Sequence, residues 1–280
     1  MANTADGLHY LELSFEKSYD ASSEEQFFKW IQENWTQAFW YSGFYVMVIF
    51  GGKHYMNGRP KFELRPVLAL WSAILAIFSI CGAIRTVPET VLAIKKYGFE
   101  YSICNPSCYH HGVIRFWAFM FTISKVYELG DTIFIVLRKQ RLIFLHWYHH
   151  ITVLVYSWYC YTEHAAPGRW YMIMNFTVHS FMYLYYTLRA LRFRMPQWVN
   201  IGITFLQISQ MVMGLVINIF SYNIKSRGGY CQQSYENLKW SSMMYFSYLV
   251  LFSHFFYQAY ISPKSKKETS KELAVTKKIQ

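Results

Sequence analysis

The 280-residue chain is 54% apolar and 20% aromatic but only 15% charged, too few charges for a soluble domain of this size. Its net charge of +11 sits in short clusters between apolar runs, which excludes the continuous basic face of a nucleic-acid binder. Membrane lipid and anionic substrates are the partners this pattern fits.

Residues 1–26 hold Asp6, Glu12, Glu16, Asp20, Glu24 and Glu25 against a single Lys17, and read as a loosely ordered acidic lead without a cleavable signal peptide. Phe27, Phe28, Ile31 and Trp35 recur near a helical period and predict a short interfacial helix, which completes a lead over 1–35. Seven apolar segments follow at 36–52, 66–84, 113–137, 142–162, 169–188, 198–222 and 240–261. Each approaches the roughly 20 residues a helix needs to cross a hydrocarbon core. The reading is an all-α membrane protein with seven transmembrane helices over 36–262 and a Lys-rich tail over 263–280.

Sixteen Lys and Arg fall on one side of these spans and nine on the other, the side of the N-terminus. Cytoplasmic loops carry the excess, so the N-terminus is predicted lumenal and the tail cytosolic. The terminal Lys277-Lys278-Ile279-Gln280 places two lysines where the coat machinery reads an endoplasmic-reticulum retrieval address, which works only in the cytosol. A multi-pass protein of the endoplasmic reticulum membrane is expected.

Ionisable groups inside spans are rare and point to function. The third span has Lys125, Glu128, Asp131 and Thr132 at i, i+3, i+6 and i+7, along one broad helical face. The fourth has His146, His149 and His150, three imidazoles in five residues, with His146 and His150 on one face. The fifth offers Asn175, His179, Met182 and Tyr183, and the sixth Gln207 and Gln210. At about 1.5 Å per residue these groups lie roughly 6 to 18 Å below the cytosolic ends of their helices, in one layer. Basic loops rim that mouth, and Arg138, Lys139, Arg141, Arg189 and Arg192 suit a phosphate-bearing substrate. Cys81 and Cys160 fall near lumenal span ends, and Cys104, Cys108 and Cys231 in lumenal loops where disulfides form.

The boxes Lys125-x-x-Glu128-x-x-Asp131-Thr132, His146-x-x-His149-His150, His179-x-x-Met182-Tyr183 and Gln207-x-x-Gln210 resemble, in order, the signature boxes of the ELO family of very-long-chain fatty-acid elongases. The likeness runs from about residue 27 to 262, and the run from Arg138 to Leu154 looks most like the subgroup acting on saturated and monounsaturated palmitoyl-type chains. The resemblance implies a 3-ketoacyl-CoA synthase that joins acyl-CoA to malonyl-CoA, releasing CoA and carbon dioxide, alongside the other enzymes of the elongation cycle. It implies six of the seven helices in a barrel around a narrow acyl tunnel. It also implies a Cys104–Cys231 disulfide, for which the residues themselves leave Cys108 as a competing partner. No cofactor or metal is expected beyond the two substrates.

An imidazole-based acyl transfer is expected because the layer has imidazoles but no Cys. His149 is the expected nucleophile, with His150 second and His179 assisting from the fifth span. Lys125, Glu128, Asp131, Asn175, Tyr183, Gln207 and Gln210 are expected to support it. Trp158, Tyr159 and Tyr161 are candidates to limit chain length at the lumenal end. Two rivals are a membrane di-iron desaturase or hydroxylase, for which five span histidines are few, and a seven-span receptor or transporter.

Overall fold

A computed structural model describes residues 13–110 and 112–262. The described residues form the helices α1 (Ser14–Ser18), α2 (Ala21–Asn34), α3 (Gln37–Tyr55), α4 (Arg65–Tyr97), α5 (Phe99–Cys104), α6 (Gly112–Tyr127), α7 (Gly130–Leu137), α8 (Phe144–Thr162), α9 (Gly168–Ala190), α10 (Gln197–Ser226) and α11 (Tyr235–Phe256). α4 and α10 are each long and apolar enough to cross a membrane. Phe44, Met47, Ile74, Ile77, Phe205 and Phe246 stand on exposed faces, as apolar side chains do where lipid replaces water.

α4 packs on α9, α9 on α10, α10 on α11, α11 on α8, α8 on α6 and α6 back on α4, so the contacts close into a ring. α3 lies outside it, against α7 and α8. Small residues permit the close approaches: a Cβ on Gly82 would meet the Phe176 ring at 2.7 Å, and one on Gly214 would overlap the Tyr245 ring.

The second predicted span ends at residue 84, but α4 continues to Tyr97 through Pro88. Arg85 and Glu89 read as loop residues only while their partners are unknown. Arg85 Nη2 lies 2.6 Å from Glu16 and Glu89 lies 3.4 Å from Arg169, so both charges stay inside the fold. The third predicted span is two helices, broken at Glu128 and Leu129 between α6 and α7.

From residue 13 onward the acidic lead is docked. Glu16 is 1% exposed and accepts hydrogen bonds from Arg85, Trp117 Nε1 and the Leu13 amide. Burial pushes its carboxyl up, but these hydrogen bonds outweigh that and hold it below the usual carboxylate range. Glu24 accepts from Tyr19 and Tyr161, and His164 Nε2 lies 3.0 Å from it. Asp20 caps α2 by accepting from the Ser23 amide. The helix expected at a lipid interface therefore caps the bundle: Ile31 is wholly buried, and the Phe27 ring sits 5.2 Å from that of Tyr161.

A disulfide joins Cys104 to Cys231 across 127 residues, and Cys108 is free. Lys277 and Lys278 lie outside the described residues.

Candidate active site

The break after α6 places the acidic and basic groups of the layer. Lys125 and Glu128 are both buried; Lys125 Nζ donates to Glu128 Oε1 at 2.7 Å and to Asn175 Oδ1 at 2.9 Å. Ser124 Oγ donates to the same carboxylate oxygen at 2.9 Å. With its oxygen taken by Lys125, Asn175 turns its amide Nδ2 to His179 Nε2, 3.1 Å away. That amide can only donate, so Nε2 accepts and the ring proton sits on Nδ1. Nδ1 faces Glu128 Oε2 at 3.9 Å, an oxygen with no hydrogen-bond partner among the described residues.

Asp131 lies in the first turn of α7 and is fixed by two donors, Trp71 Nε1 at 2.6 Å and Tyr183 Oη at 2.7 Å. Thr132 Oγ1 contacts His146 Nε2 at 2.9 Å and Tyr45 Oη at 2.6 Å. His150 is buried, and its Nδ1 has no partner among the described residues. The His149 ring makes no hydrogen bond among the described residues; it is half-buried, 4.8 Å from the Tyr248 ring and 5.6 Å from His150. Tyr248 Oη in turn donates to the His149 carbonyl and meets Thr152 Oγ1, which pins this turn of α8 to α11.

Two cavities meet here. One, of about 540 Å³, is lined by all four histidines, Asp131, Tyr183, Gln207 and Gln210, with Arg65, Arg138 and Arg189 at its basic end. The other is a narrow bore of about 60 Å³ whose walls include Tyr156, Met172, Tyr171, Met244 and Tyr245, and which ends among Cys108, Tyr109, Cys160, Tyr161 and Arg169. His149, Asn175, Gln210 and Met211 border both. Of the four histidines, His149 stands at the junction; His146, His150 and His179 face the wide chamber only.

The four boxes thus come together as the sequence led us to expect, whereas the basic set divides. Arg138 and Arg189 line the chamber; Lys139, Arg141 and Arg192 do not, and Lys139 donates to the Arg59 carbonyl instead. Of the three length-limiting candidates only Tyr161 lines the bore. Trp158 turns away to donate to the Thr122 carbonyl and pack on Trp30 and Tyr41, and Tyr159 packs on Trp35. Arg65, at the end of the basic loop from Lys53 that is expected to rim the mouth, does line the chamber, whereas nothing in the sequence marks Trp71, Tyr45 and Tyr248 as part of the site. Among the described residues no three His, Cys, Asp or Glu side chains converge as a metal-binding set.

A family model described as ELO: GNS1/SUR4 family matches residues 30–268. The chain belongs to the ELO family. Very long chain fatty acid elongase 6 of Mus musculus is 51% identical to this ELO protein over 262 residues, 93% of this chain and 97% of the relative. The protein of the same name from Drosophila melanogaster is 51% identical over 242 residues, 85% and 77% of the two chains. Very long chain fatty acid elongase 3 of Mus musculus is 41% identical over 256 residues, 91% and 94%. Membership removes the ground for the di-iron and receptor readings and makes this all-helical ELO chain a membrane protein.

Gly130 carries a specific burden in this arrangement. A Cβ there would stand 2.8 Å from Trp71 Cζ2, so the ring that donates to Asp131 fits only over glycine. Gly130→Ala is expected to destabilise the protein by about 1–3 kcal/mol and to lower turnover. Thermal unfolding in detergent, with Trp71→Phe beside it, checks this: the two variants should lose turnover alike because both lose the Asp131 donor.

Proposed function

We propose that this protein is the condensing enzyme of fatty-acid elongation, a very-long-chain 3-oxoacyl-CoA synthase. It joins long-chain acyl-CoA to malonyl-CoA and gives 3-ketoacyl-CoA, CoA and carbon dioxide, with no cofactor beyond the two substrates. The single observation that carries this reading is the position of His149 between a polar chamber with a basic mouth and a narrow, mostly apolar bore. A thioester lying across that junction has its CoA phosphates at Arg65, Arg138 and Arg189 and its alkyl chain among the methionines and tyrosines, which leaves the carbonyl at the imidazole. Flexible thioethers at Met172, Met211 and Met244 let the bore adapt to the chain.

An imidazole nitrogen of His149 attacks the thioester carbonyl, the C–S bond breaks, and CoA leaves as the thiol with the proton the ring gives up. Malonyl-CoA then loses carbon dioxide, the resulting enolate carbon attacks the acyl-imidazole, the C–N bond breaks, and the departing ring takes up a proton from water to regenerate neutral His149. His179, with its proton on Nδ1 beside Glu128, assists at the developing negative charge. Lys125, Asn175 and Asp131 hold that geometry; Gln207 and Gln210 offer hydrogen bonds. Purified protein given malonyl-CoA and a ladder of acyl-CoAs should yield 3-ketoacyl-CoA, identified by mass. Absence of that product from every acyl-CoA would reject the reading.

The ring of six packed helices is the proposed barrel, with α3 as the seventh span and α6 with α7 as one interrupted span. In this reading residues 36–262 are the elongase domain, 1–35 are its lumenal lead, and 263–280 are a cytosolic tail with Lys277 and Lys278 as a retrieval signal. The protein would act in the endoplasmic reticulum membrane beside the enzymes that reduce and dehydrate its product. A C-terminal tag should be lost when intact microsomes are treated with protease; a spared tag would invert the topology.

Tyr161 is the proposed limit on chain length among the three aromatic candidates. Tyr161→Ala should lengthen the longest product by about one two-carbon cycle. Tyr161→Phe, which keeps the ring but loses the hydrogen bond to Glu24, should leave product length unchanged and separates the steric role from the loss of docking.

A further inference from the structure

The closed end of the narrow bore carries a charge. Arg169, in the first turn of α9, lines that end, and its side chain is 0% exposed. Its Nη2 donates to Ser107 Oγ at 2.7 Å and lies 3.4 Å from Glu89 Oε1, so the guanidinium is neutralised by one carboxylate. Its Nε and Nη1 are buried, with no acceptor among the described residues. Tyr109 lines the same end; its hydroxyl donates to the Ala165 carbonyl at 3.3 Å and keeps its own lone pairs available.

A methyl terminus pushed against this wall leaves two buried N–H donors unmet, the costly half of the hydrogen-bond balance. We propose that Arg169 and Tyr109 form a terminal subsite for acyl chains that end in a neutral hydrogen-bonding group, with ω-hydroxyacyl-CoA as its substrate class. The terminal oxygen accepts from Nε or Nη1 of Arg169, and its proton goes to the Tyr109 oxygen, so the hydroxyl is fully paired. A terminal carboxylate fits worse, because Glu89 already balances Arg169 and a second anion would be buried unpaired. Shorter ω-hydroxy chains also fit worse, because their hydroxyl stops among the apolar residues of the bore.

The inference rests on the reading of the bore as the acyl site, and the experiment separates the two. Apparent Kd is read from the ligand-induced thermal upshift of the purified full-length protein, which needs no turnover. Matched alkyl and ω-hydroxy acyl-CoAs from decanoyl to stearoyl serve as probes. The preference for the ω-hydroxy over the alkyl ligand should rise at least about tenfold from decanoyl to the longest chain bound, and ω-carboxy chains should show no such rise. Tyr109→Phe, which keeps the ring, should reduce the rise severalfold, and Arg169→Met should abolish it. A preference that stays flat or falls with length, while alkyl ligands bind normally, overturns the subsite and spares the acyl-site reading. No upshift with any acyl-CoA overturns both. The ratio is measured in the parent protein and stands even if Arg169→Met does not fold.

Discussion

His149→Ala is expected to lose release of CoA from acyl-CoA in the absence of malonyl-CoA, and to lower condensation at least about a thousandfold, because it removes the group that carries the acyl chain. The geometry separates this residue from its neighbours. His146 is held at Nε2 by Thr132, His179 is held at Nε2 by Asn175, and His150 is buried facing the chamber alone. Only His149 among the four borders both cavities with a ring free of hydrogen bonds among the described residues. His150→Ala should therefore retain CoA release while condensing more slowly. His179→Ala should also retain it and stall once malonyl-CoA is added, since its proposed role follows acyl transfer. Stopped-flow measurement of free thiol, with and without malonyl-CoA, distinguishes these outcomes; CoA release that survives in His149→Ala would move the acyl group elsewhere.

Lys125→Met should be the most damaging change to stability. Lys125 and Glu128 have side chains 1% and 4% exposed, and removing one partner of such a pair leaves a buried charge uncompensated, typically at about 3–5 kcal/mol. The loss also frees Asn175 Oδ1, so Asn175 can flip and withdraw the donor that sets the His179 proton on Nδ1. Combining Lys125→Met with Glu128→Gln should recover most of the stability, because no charge then remains unpaired. It should not recover turnover, because His179 still lacks its carboxylate. Thermal unfolding and product formation measured on the single and double variants check both halves; parallel recovery of stability and activity would make the pair purely structural.

The histidine layer was legible because imidazoles inside an apolar run are anomalous, and any helix there gathers three in five residues onto neighbouring faces. Trp71, Tyr45 and Tyr248 were not, because a chain with 24 Tyr and 10 Trp gives no single aromatic residue a signal. The break between α6 and α7 was hidden because it is small: Leu129 keeps αR backbone angles and the hydrogen bonds of Leu129, Asp131 and Thr132 tighten to i→i−3, a change that the apolar spacing on either side does not record. Glu16 and Glu24 read as a solvated lead because their partners Arg85, Trp117, Tyr161 and His164 lie 69 to 140 residues away. For the same reason α4 was cut short at Arg85. The basic rim was half legible: positive loops mark a mouth, but which guanidinium lines it depends on helix rotation, which charge counting does not fix. Trp158 and Tyr159 illustrate the same limit, since their side chains turn toward the α2–α3 layer and away from the bore.

The account turns on an acyl group carried by His149, and the most direct measurement is peptide mass mapping of the protein after incubation with palmitoyl-CoA alone. One palmitoyl group should be found on the peptide containing Leu145–Ile151, located by fragmentation to His149, and it should disappear when malonyl-CoA is added as 3-ketoacyl-CoA forms. Condensation at full rate with no acylated peptide, or with the acyl group on a different residue, would contradict it.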